Sequence, residues 1–419
     1  MRKAAERMGL FLVVLFLILT ASYAQEKPLE PGVLSLDGSV GVLDKKVDEG
    51  KSALEKALGI SISGFLDASY TWGSNRPHGP STFDNGISLR YFDQDHNKVV
   101  FNFFNLTLEK PEKDWGVGLK LVADFSRSAE LLREATFWGS NRFRGFPPGR
   151  HGDSSAELRE AFVTFTIPVG GGLQVKGGKF VTPLGTEIIP APGAYNDNIS
   201  RSFLFNFGVP LTHTGVLFTY PVLKSLSISA GPVTGWDDPS DNNSAPSFLG
   251  GISFTPADAF SFASNIIVGP EQLQHSARQR VTWSNVATIK PTDPLALSLE
   301  YTYGHEEKVT ASLRDGTWQG VAAIASYTWT DRFNTALRGE FFRDSDGVRT
   351  FPLNGLPAPQ DTKYWELTLT TAYKFTAKLV GRFEVRQDWA NKKAFVEGSG
   401  FPRADKNQTT IALQAIYTY

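Results

Sequence analysis

Long stretches that alternate between two classes of residue restrict the fold of this chain more than any other feature. In residues 60–72, the even positions carry Ile, Gly, Leu, Ala, Tyr and Trp, and the odd positions carry mostly Ser, Asp and Thr. The same period recurs over 295–305 and 378–389, and over 409–419 it continues to the last residue. Successive side chains of a strand point to opposite faces, so this period predicts strands with one apolar and one polar face. The stretches exceed the usual strand length of about five or six residues and match the roughly ten with which a tilted strand crosses a bilayer.

Sixteen such strands can be placed along the chain, and their connections alternate in length. The predicted strands are 60–72, 98–108, 115–125, 157–167, 173–181, 212–220, 225–236, 247–255, 259–268, 278–290, 295–305, 317–329, 333–343, 363–374, 378–389 and 407–419. PEKD at 111–114 is a tight turn, whereas 73–97, 126–156 and 182–211 are long loops. Short turns at one end and long loops at the other are typical of outer-membrane barrels; a soluble propeller or sandwich, the alternative, does not sort its loops in this way. The predicted fold class is therefore all-β, a transmembrane antiparallel β-barrel of about 16 strands over residues 59–419.

The N-terminal residues have the parts of a secretory signal peptide. A basic head with Arg2, Lys3 and Arg7 precedes an apolar run at 10–19, and small residues follow up to Ala24. This order predicts a peptide that is cleaved after Ala24 during export. An uncleaved membrane anchor is the alternative, but the apolar run is short for a span.

Residues 25–58 follow a different period from the rest of the chain. Their apolar residues recur at intervals of three, four and seven, with charged residues and three glycines between them. This pattern predicts a short N-terminal helical or linker segment in the periplasm. A short coiled coil, or a helix inserted into a pore, is the alternative interpretation.

The last strand is predicted to pair with the first, because lipid leaves no partner for an open strand edge. With an even number of strands, both ends of the barrel domain lie on the periplasmic side. Tyr417 and Tyr419 then lie near the periplasmic interface, where aromatic residues are enriched in membrane barrels. We interpret this terminal aromatic pattern as the signal that the barrel assembly machinery recognises.

Charge and composition exclude several classes of function. The chain has 42 basic and 43 acidic residues and no cysteine, which argues against nucleic acid as a partner and excludes thiolate metal sites. The six histidines form no HExxH motif, and no serine lies in a nucleophile-elbow pattern, so we predict no enzyme, no metal and no cofactor. GWDDPSDNNSAP at 235–246 is rich in the oxygen ligands that calcium prefers, although a solvated external loop is the more common meaning.

The loop at 182–211 is too apolar for a loop in water, and we predict that it folds into the lumen and narrows a pore. As the third long loop, it lies half-way round the ring from the thirteenth to fifteenth strands. Acidic loop residues opposite basic wall residues would give a transverse field that orients dipolar solutes. The candidate pore-constriction residues are Glu187, Asp197, Arg201, Arg338, Arg382, Arg386 and Lys120. Inward charges that only neutralise one another are the alternative, and 201–207 is an alternative short strand.

Two stretches resemble a known family. GGKFVTPLGTE at 177–187 and NISRSFLFNFGVPLTHTGV at 198–216 resemble the OmpL-like β-barrel porin family, and the resemblance extends over most of 59–419. It implies a channel-forming protein of the bacterial outer membrane and names no solute. We expect passive diffusion of small hydrophilic solutes or ions, contact with outer-membrane lipid, and a homo-trimer as the possible assembly. A plugged barrel that serves as an adhesin or as a sleeve around a cytochrome is the alternative.

Overall fold

The computed structural model describes most of the barrel domain. The described residues are 55, 59–76, 86–112, 116–138, 156–310, 312–350, 361–398 and 403–419. The predicted signal peptide lies outside them, as does the 25–58 segment apart from Glu55. Within the described residues, no helix combines the length and the apolar character needed to cross a membrane.

Sixteen antiparallel strands form one closed barrel, as the sequence predicts. The strands of the ring are β1 (Ser61–Gly73), β2 (Lys98–Lys110), β3 (Gly118–Phe125), β4 (Ala156–Ile167), β5 (Leu173–Val181), β6 (Thr212–Leu223), β7 (Leu226–Val233), β8 (Ser247–Ala257), β9 (Phe260–Gln272), β10 (His275–Thr292), β11 (Leu295–Glu306), β12 (Gly316–Thr330), β13 (Phe333–Asp344), β14 (Thr362–Lys374), β15 (Leu379–Ala390) and β18 (Asn407–Thr418). Each strand pairs with its neighbours along the chain, and β18 closes the ring between β15 and β1.

Three elements in the long loops differ from the sequence expectation. The loop after β3 contains helix α1 (Arg127–Trp138), and the last loop contains a small sheet of β16 (Phe395–Glu397) and β17 (Arg403–Asp405). The alternative of a short strand at 201–207 is wrong, because Leu204–Gly208 is a π-helical turn. The N–H groups of Phe203 and Leu204 donate to Glu340 of the barrel wall, and that of Phe205 donates to the Ser202 hydroxyl of the same loop, so none of these three pairs with a neighbouring strand.

The two faces of the wall have opposite character. On the outer face, Leu337 and Leu367 are 44% and 48% exposed, whereas their neighbours on the inner face, Arg338 and Thr368, are fully buried. An apolar outer face suits lipid, and polar groups are confined to the inner face. The alternation of β13 and β14 therefore separates a lipid face from a lumen face.

The ring closes between β1 and β18, with Phe65 opposite Thr418 and Gly73 opposite Thr410. Gly64 and Tyr419 extend this pairing, since the Tyr419 N–H donates to the Gly64 carbonyl over 3.0 Å. The Tyr419 side chain lies directly over Gly64, where any Cβ atom would overlap its ring. Its hydroxyl donates to the Asn105 carbonyl of β2 over 2.7 Å. The terminal tyrosine thus spans the closing joint from β18 across β1 to β2.

This joint predicts that Gly64→Val impairs barrel closure. The added side chain overlaps both the Asn105 carbonyl of β2 and the Tyr419 ring, and such overpacking typically costs about 1–3 kcal/mol. Gly339→Val is the matched control, because a Cβ at Gly339 meets only the Leu367 side chain at ordinary contact distance. The fraction of unheated protein that migrates as folded barrel on a denaturing gel should fall for Gly64→Val and remain unchanged for Gly339→Val. Equal folded fractions for the two variants would contradict the joint.

Candidate functional site: a loop across the lumen

The loop between β5 and β6 crosses the lumen to the opposite wall. It leaves the wall after Val181 and returns at Thr212, and its contacts with the far wall include hydrogen bonds to β11, β13, β14 and β15. Because β13 and β14 lie half-way round the ring from β5 and β6, the loop spans the barrel. We call residues 182–211 the crossing loop.

Apolar side chains pack on both sides of the crossing loop. Phe203, Leu204 and Phe207 belong to a cluster with Trp236, Trp318 and Phe342 of the wall and external loops. A second cluster joins Ile189 and Phe205 of the loop to Leu131 and Leu132 of α1 and to Phe65 and Phe103 of the wall. The apolar content of the loop is thus accounted for by packing inside the barrel.

Glutamates of the wall bind the backbone of the crossing loop. Glu340 on β13 accepts hydrogen bonds from the backbone N–H groups of Phe203 and Leu204, both over 2.6 Å. Glu384 on β15 accepts from Ile199 over 2.6 Å and from Ser200 over 3.0 Å.

Glu300 on β11 likewise accepts from the N–H of Thr186 over 2.7 Å. A buried backbone N–H without a partner is costly, and a carboxylate acceptor forms a stronger bond than a neutral one. The glutamates of three wall strands thus provide partners for loop N–H groups that no strand could satisfy.

Two of the predicted constriction arginines lie beneath the crossing loop. Arg338 donates from Nη1 to Glu187 over 2.9 Å and to the Ser200 carbonyl over 2.8 Å, and from Nε to Glu366 over 2.6 Å. Arg386 donates from Nη1 to the Arg201 carbonyl over 2.6 Å. Both arginines are fully buried. The sequence predicts that these arginines face the loop across an open constriction. In the structure they instead form direct hydrogen bonds with the loop.

The other predicted residues are distributed over the lumen. Arg201 belongs to the crossing loop and is buried, with its guanidinium over the rings of Phe92 and Phe205. Lys120 on β3 pairs with Glu160 over 3.3 Å and remains partly exposed.

Arg382 donates to Gln414 over 2.8 Å and to the Asn196 carbonyl of the crossing loop. Asp197 is an exposed residue of that loop. The structure therefore brings together Glu187, Arg338 and Arg386, places Arg382 and Asp197 on one cavity, and leaves Lys120 on another part of the wall.

External loops add residues that sequence reasoning missed. Arg349, from the loop after β13, donates to the Phe207 carbonyl over 2.8 Å and lies on the rings of Trp236 and Trp318. Arg90, from the loop after β1, donates to Asp388 on β15 over 2.7 Å. Neither arginine belongs to an alternating stretch, and no other feature of their loop sequences indicates that these loops fold into the lumen.

In the described part of the barrel, two of the open cavities lie between the crossing loop and the short-turn end. One of about 350 Å³ lies against β9 to β12, and one of about 180 Å³ lies against β12 to β15. Tyr195 and Asp197 of the crossing loop line both cavities. The loop thus forms the roof of a vestibule that opens towards the short turns.

The acidic loop at 235–246 has a structural role. Asp237 accepts hydrogen bonds from the N–H groups of Leu211 and Thr212 over 2.5 and 2.9 Å, where the crossing loop rejoins the wall. Among the described residues, no group of His, Asp and Glu side chains is arranged to hold a metal ion. Burial, together with the neighbouring carboxylates of Glu271 and Asp237, raises the pKa of Asp238 to about 8.

The raised pKa predicts that Asp238 lowers barrel stability as pH increases. The unfolded chain ionises this group near pH 4, whereas the folded barrel retains the proton up to about pH 8. Stability is therefore lost across this window, and Asp238→Asn should remove the loss. The thermal unfolding midpoint of Asp238→Asn should match that of the unmodified protein near pH 4 and exceed it near pH 9. An equal or lower midpoint near pH 9 would contradict the assignment.

Comparison with known proteins gives one family and several solved structures. The profile of the family described as putative beta-barrel porin-2, OmpL-like, matches residues 59–419. The anion-selective porin from Comamonas acidovorans has a TM-score of 0.57 and 10% identity, with 86% of this chain and 99% of that chain covered. The outer membrane channel DcaP of Acinetobacter baumannii has a TM-score of 0.55 and 14% identity, with 86% and 97% covered. The trimer form of OmpT from Vibrio cholerae has a TM-score of 0.54 and 11% identity, with 86% and 99% covered. No curated protein matches the chain.

Proposed function

Because this chain belongs to the OmpL-like β-barrel porin family of the bacterial outer membrane, we propose that it passes small hydrophilic solutes or ions by passive diffusion through a water-filled channel. The observation that carries the proposal is the closed ring of sixteen strands, whose inner face is polar and whose outer face is apolar. A polar inner face is what a water-filled lumen requires, and lipid excludes the same residues from the outer face. Passive diffusion involves no chemical reaction, so the proposal assigns no catalytic residue and no cofactor.

The crossing loop narrows this channel. It spans the barrel at the level of Arg338 and Arg386, so solutes pass beside it and not through the full width of the lumen. The loop is held by buried carboxylate and guanidinium groups, which favours a fixed constriction over a moving lid. Asp197 and the wall residues Arg382 and Lys120 then contribute charges beside the solute path, and the buried Glu187 and Arg201 contribute to the field around it.

A barrel without an open channel is the second candidate. The two apolar clusters within the lumen favour it, because they fill space that water would occupy in a wide pore. Such a barrel would act through its external surface as an adhesin or a sleeve. A steady current in planar bilayers supports the porin proposal, and its absence supports the plugged barrel.

The assembly is a homo-trimer, as the trimer form of OmpT suggests by analogy.

Tyr417 and Tyr419 at the closing joint present the signal to the barrel assembly machinery. Tyr419→Phe retains the ring over Gly64 and loses only the hydroxyl bond to the Asn105 carbonyl.

Releasing the crossing loop should widen the channel. Glu340→Ala together with Glu384→Ala removes the acceptors of four loop N–H groups, and deletion of 188–206 removes the constriction itself. Both changes should raise single-channel conductance, the deletion by the larger factor, at low and at high salt, since channel width is not screened by ions. Glu109→Gln, at an exposed position beside a short turn, is the control and should leave conductance unchanged. Unchanged conductance in the deletion variant would contradict a lumenal constriction.

Removing the basic charges of the far wall should shift ion selectivity. Replacing Arg338, Arg382 and Arg386 with Gln leaves Glu187 and Glu366 without their cationic partners, so the channel should favour cations more strongly. The Debye length is about 30 Å at 0.01 M salt and about 3 Å at 1 M, so the shift should be large in dilute salt and small in concentrated salt. The reversal potential in a salt gradient measures it. A reversal potential that is unaffected in dilute salt would show that these arginines are remote from the ion path.

A further inference from the structure

The smaller cavity under the crossing loop carries charges of both signs. It has a volume of about 180 Å³ and lies at the short-turn end of β12 to β15. Its cationic lining residues are Arg382, Lys374 and Arg332, and its anionic ones are Asp197 and Asp331. Tyr195 of the crossing loop adds an aromatic ring, which lies 5.1 Å from the Arg382 guanidinium.

Two opposite charges in this cavity remain apart. Arg382 and Asp197 interact electrostatically, yet no ion pair joins them within 4.0 Å among the described residues. Arg338 and Arg386, in contrast, each form an ion pair with the carboxylate of Glu366. Arg382 instead donates to the Gln414 amide oxygen and to loop carbonyls, interacts electrostatically with Asp67 and Glu384, and lines the cavity.

This separation leaves room for a solute that carries both charges. A carboxylate suits the side of Arg382 and Lys374, since guanidinium and ammonium groups are the usual partners of carboxylates. An ammonium suits the side of Asp197, which is exposed at the roof of the cavity. A cavity of about 150 Å³ can hold a benzene molecule, so the cavity under the loop is large enough for a small amino acid.

We propose that the cavity beneath the crossing loop is a binding subsite for a small zwitterion of the α-amino acid class, with its carboxylate towards Arg382 and its ammonium towards Asp197. The inference rests on the proposed function, because the cavity lies beside the path of a diffusing solute. A monoanion at this site would forgo the contact with Asp197, and a monocation would forgo the contacts with Arg382 and Lys374. The zwitterion therefore binds more tightly than either of its halves.

Channel block by L-alanine tests the subsite. The full-length protein is inserted in a planar bilayer in KCl at neutral pH, and L-alanine, acetate or methylammonium is added on the short-turn side. L-Alanine should interrupt the current at a concentration about tenfold lower than acetate or methylammonium, because each half-molecule loses one charged contact. Block by acetate at the same concentration as L-alanine would overturn the proposal, since Asp197 would then contribute nothing.

A charge-removing variant separates the ammonium contact from general effects. Asp197→Asn should abolish the advantage of L-alanine over acetate, because the amide cannot pair with an ammonium. Asp293→Asn, in the exposed turn between β10 and β11 and outside the cavity, is the matched control and should retain the advantage. A preserved advantage in Asp197→Asn would overturn the proposal.

Binding can also be measured without a current. Calorimetric titration of L-alanine, acetate and methylammonium into the detergent-solubilised barrel reports the same order of affinities. A barrel that carries no current in KCl contradicts the porin proposal, whereas tighter binding of L-alanine than of acetate would still support the subsite. Equal affinity for L-alanine and acetate in this titration overturns the subsite whether or not the barrel conducts.

Discussion

Hydrogen bonding of the backbone governs this structure at every level. In lipid, an N–H or C=O group without a partner costs several kcal/mol, so strands can cross only as a closed ring. The ring meets this requirement by pairing β18 with β1 from Gly73 down to the last residue. Gly64 allows the last side chain to lie across the joint, because any larger residue would displace the Tyr419 ring. The alternation within the strands follows from the closed ring, since each strand then has lipid on one face and the lumen on the other.

The crossing loop meets the same requirement by different means. It has no neighbouring strand, and its backbone N–H groups would be unsatisfied between two apolar clusters. Glu340 and Glu384 provide the missing acceptors, and Arg338 and Arg386 bind the loop carbonyls that point to the same wall. The sequence suggests that these charged residues form an ion-selecting surface, whereas in the structure they hold the crossing loop in place. Fewer charged groups than the sequence suggests are therefore left to face solutes. Arg382 and Asp197 remain among them.

The sequence predicts the ring well and the lumen only in part. Most of the sixteen strands are recognisable because a period of two follows directly from having two different environments on the two faces, although the facing of the second, fifth and sixth strands is ambiguous in the sequence. The inward fold of 182–211 is recognisable from its apolar content. The partners within the lumen are not, because Glu187 and Arg338 meet through a contact between residues far apart in the chain, which no local pattern encodes. Helix α1 and the inward positions of Arg90 and Arg349 could not be predicted either. They belong to loops whose sequences have no regular alternation of apolar and polar residues.

The central claim is that the crossing loop lies against the far wall of the lumen. Asn198 of the loop donates to Thr370 of β14 over 2.8 Å, and the chain contains no cysteine. A protein with Asn198→Cys and Thr370→Cys therefore has a single possible disulfide, which mass spectrometry of the proteolysed, folded barrel can detect after mild oxidation. The account predicts that this intramolecular disulfide forms nearly completely in the membrane-inserted protein. Two free thiols in a correctly closed barrel would contradict it.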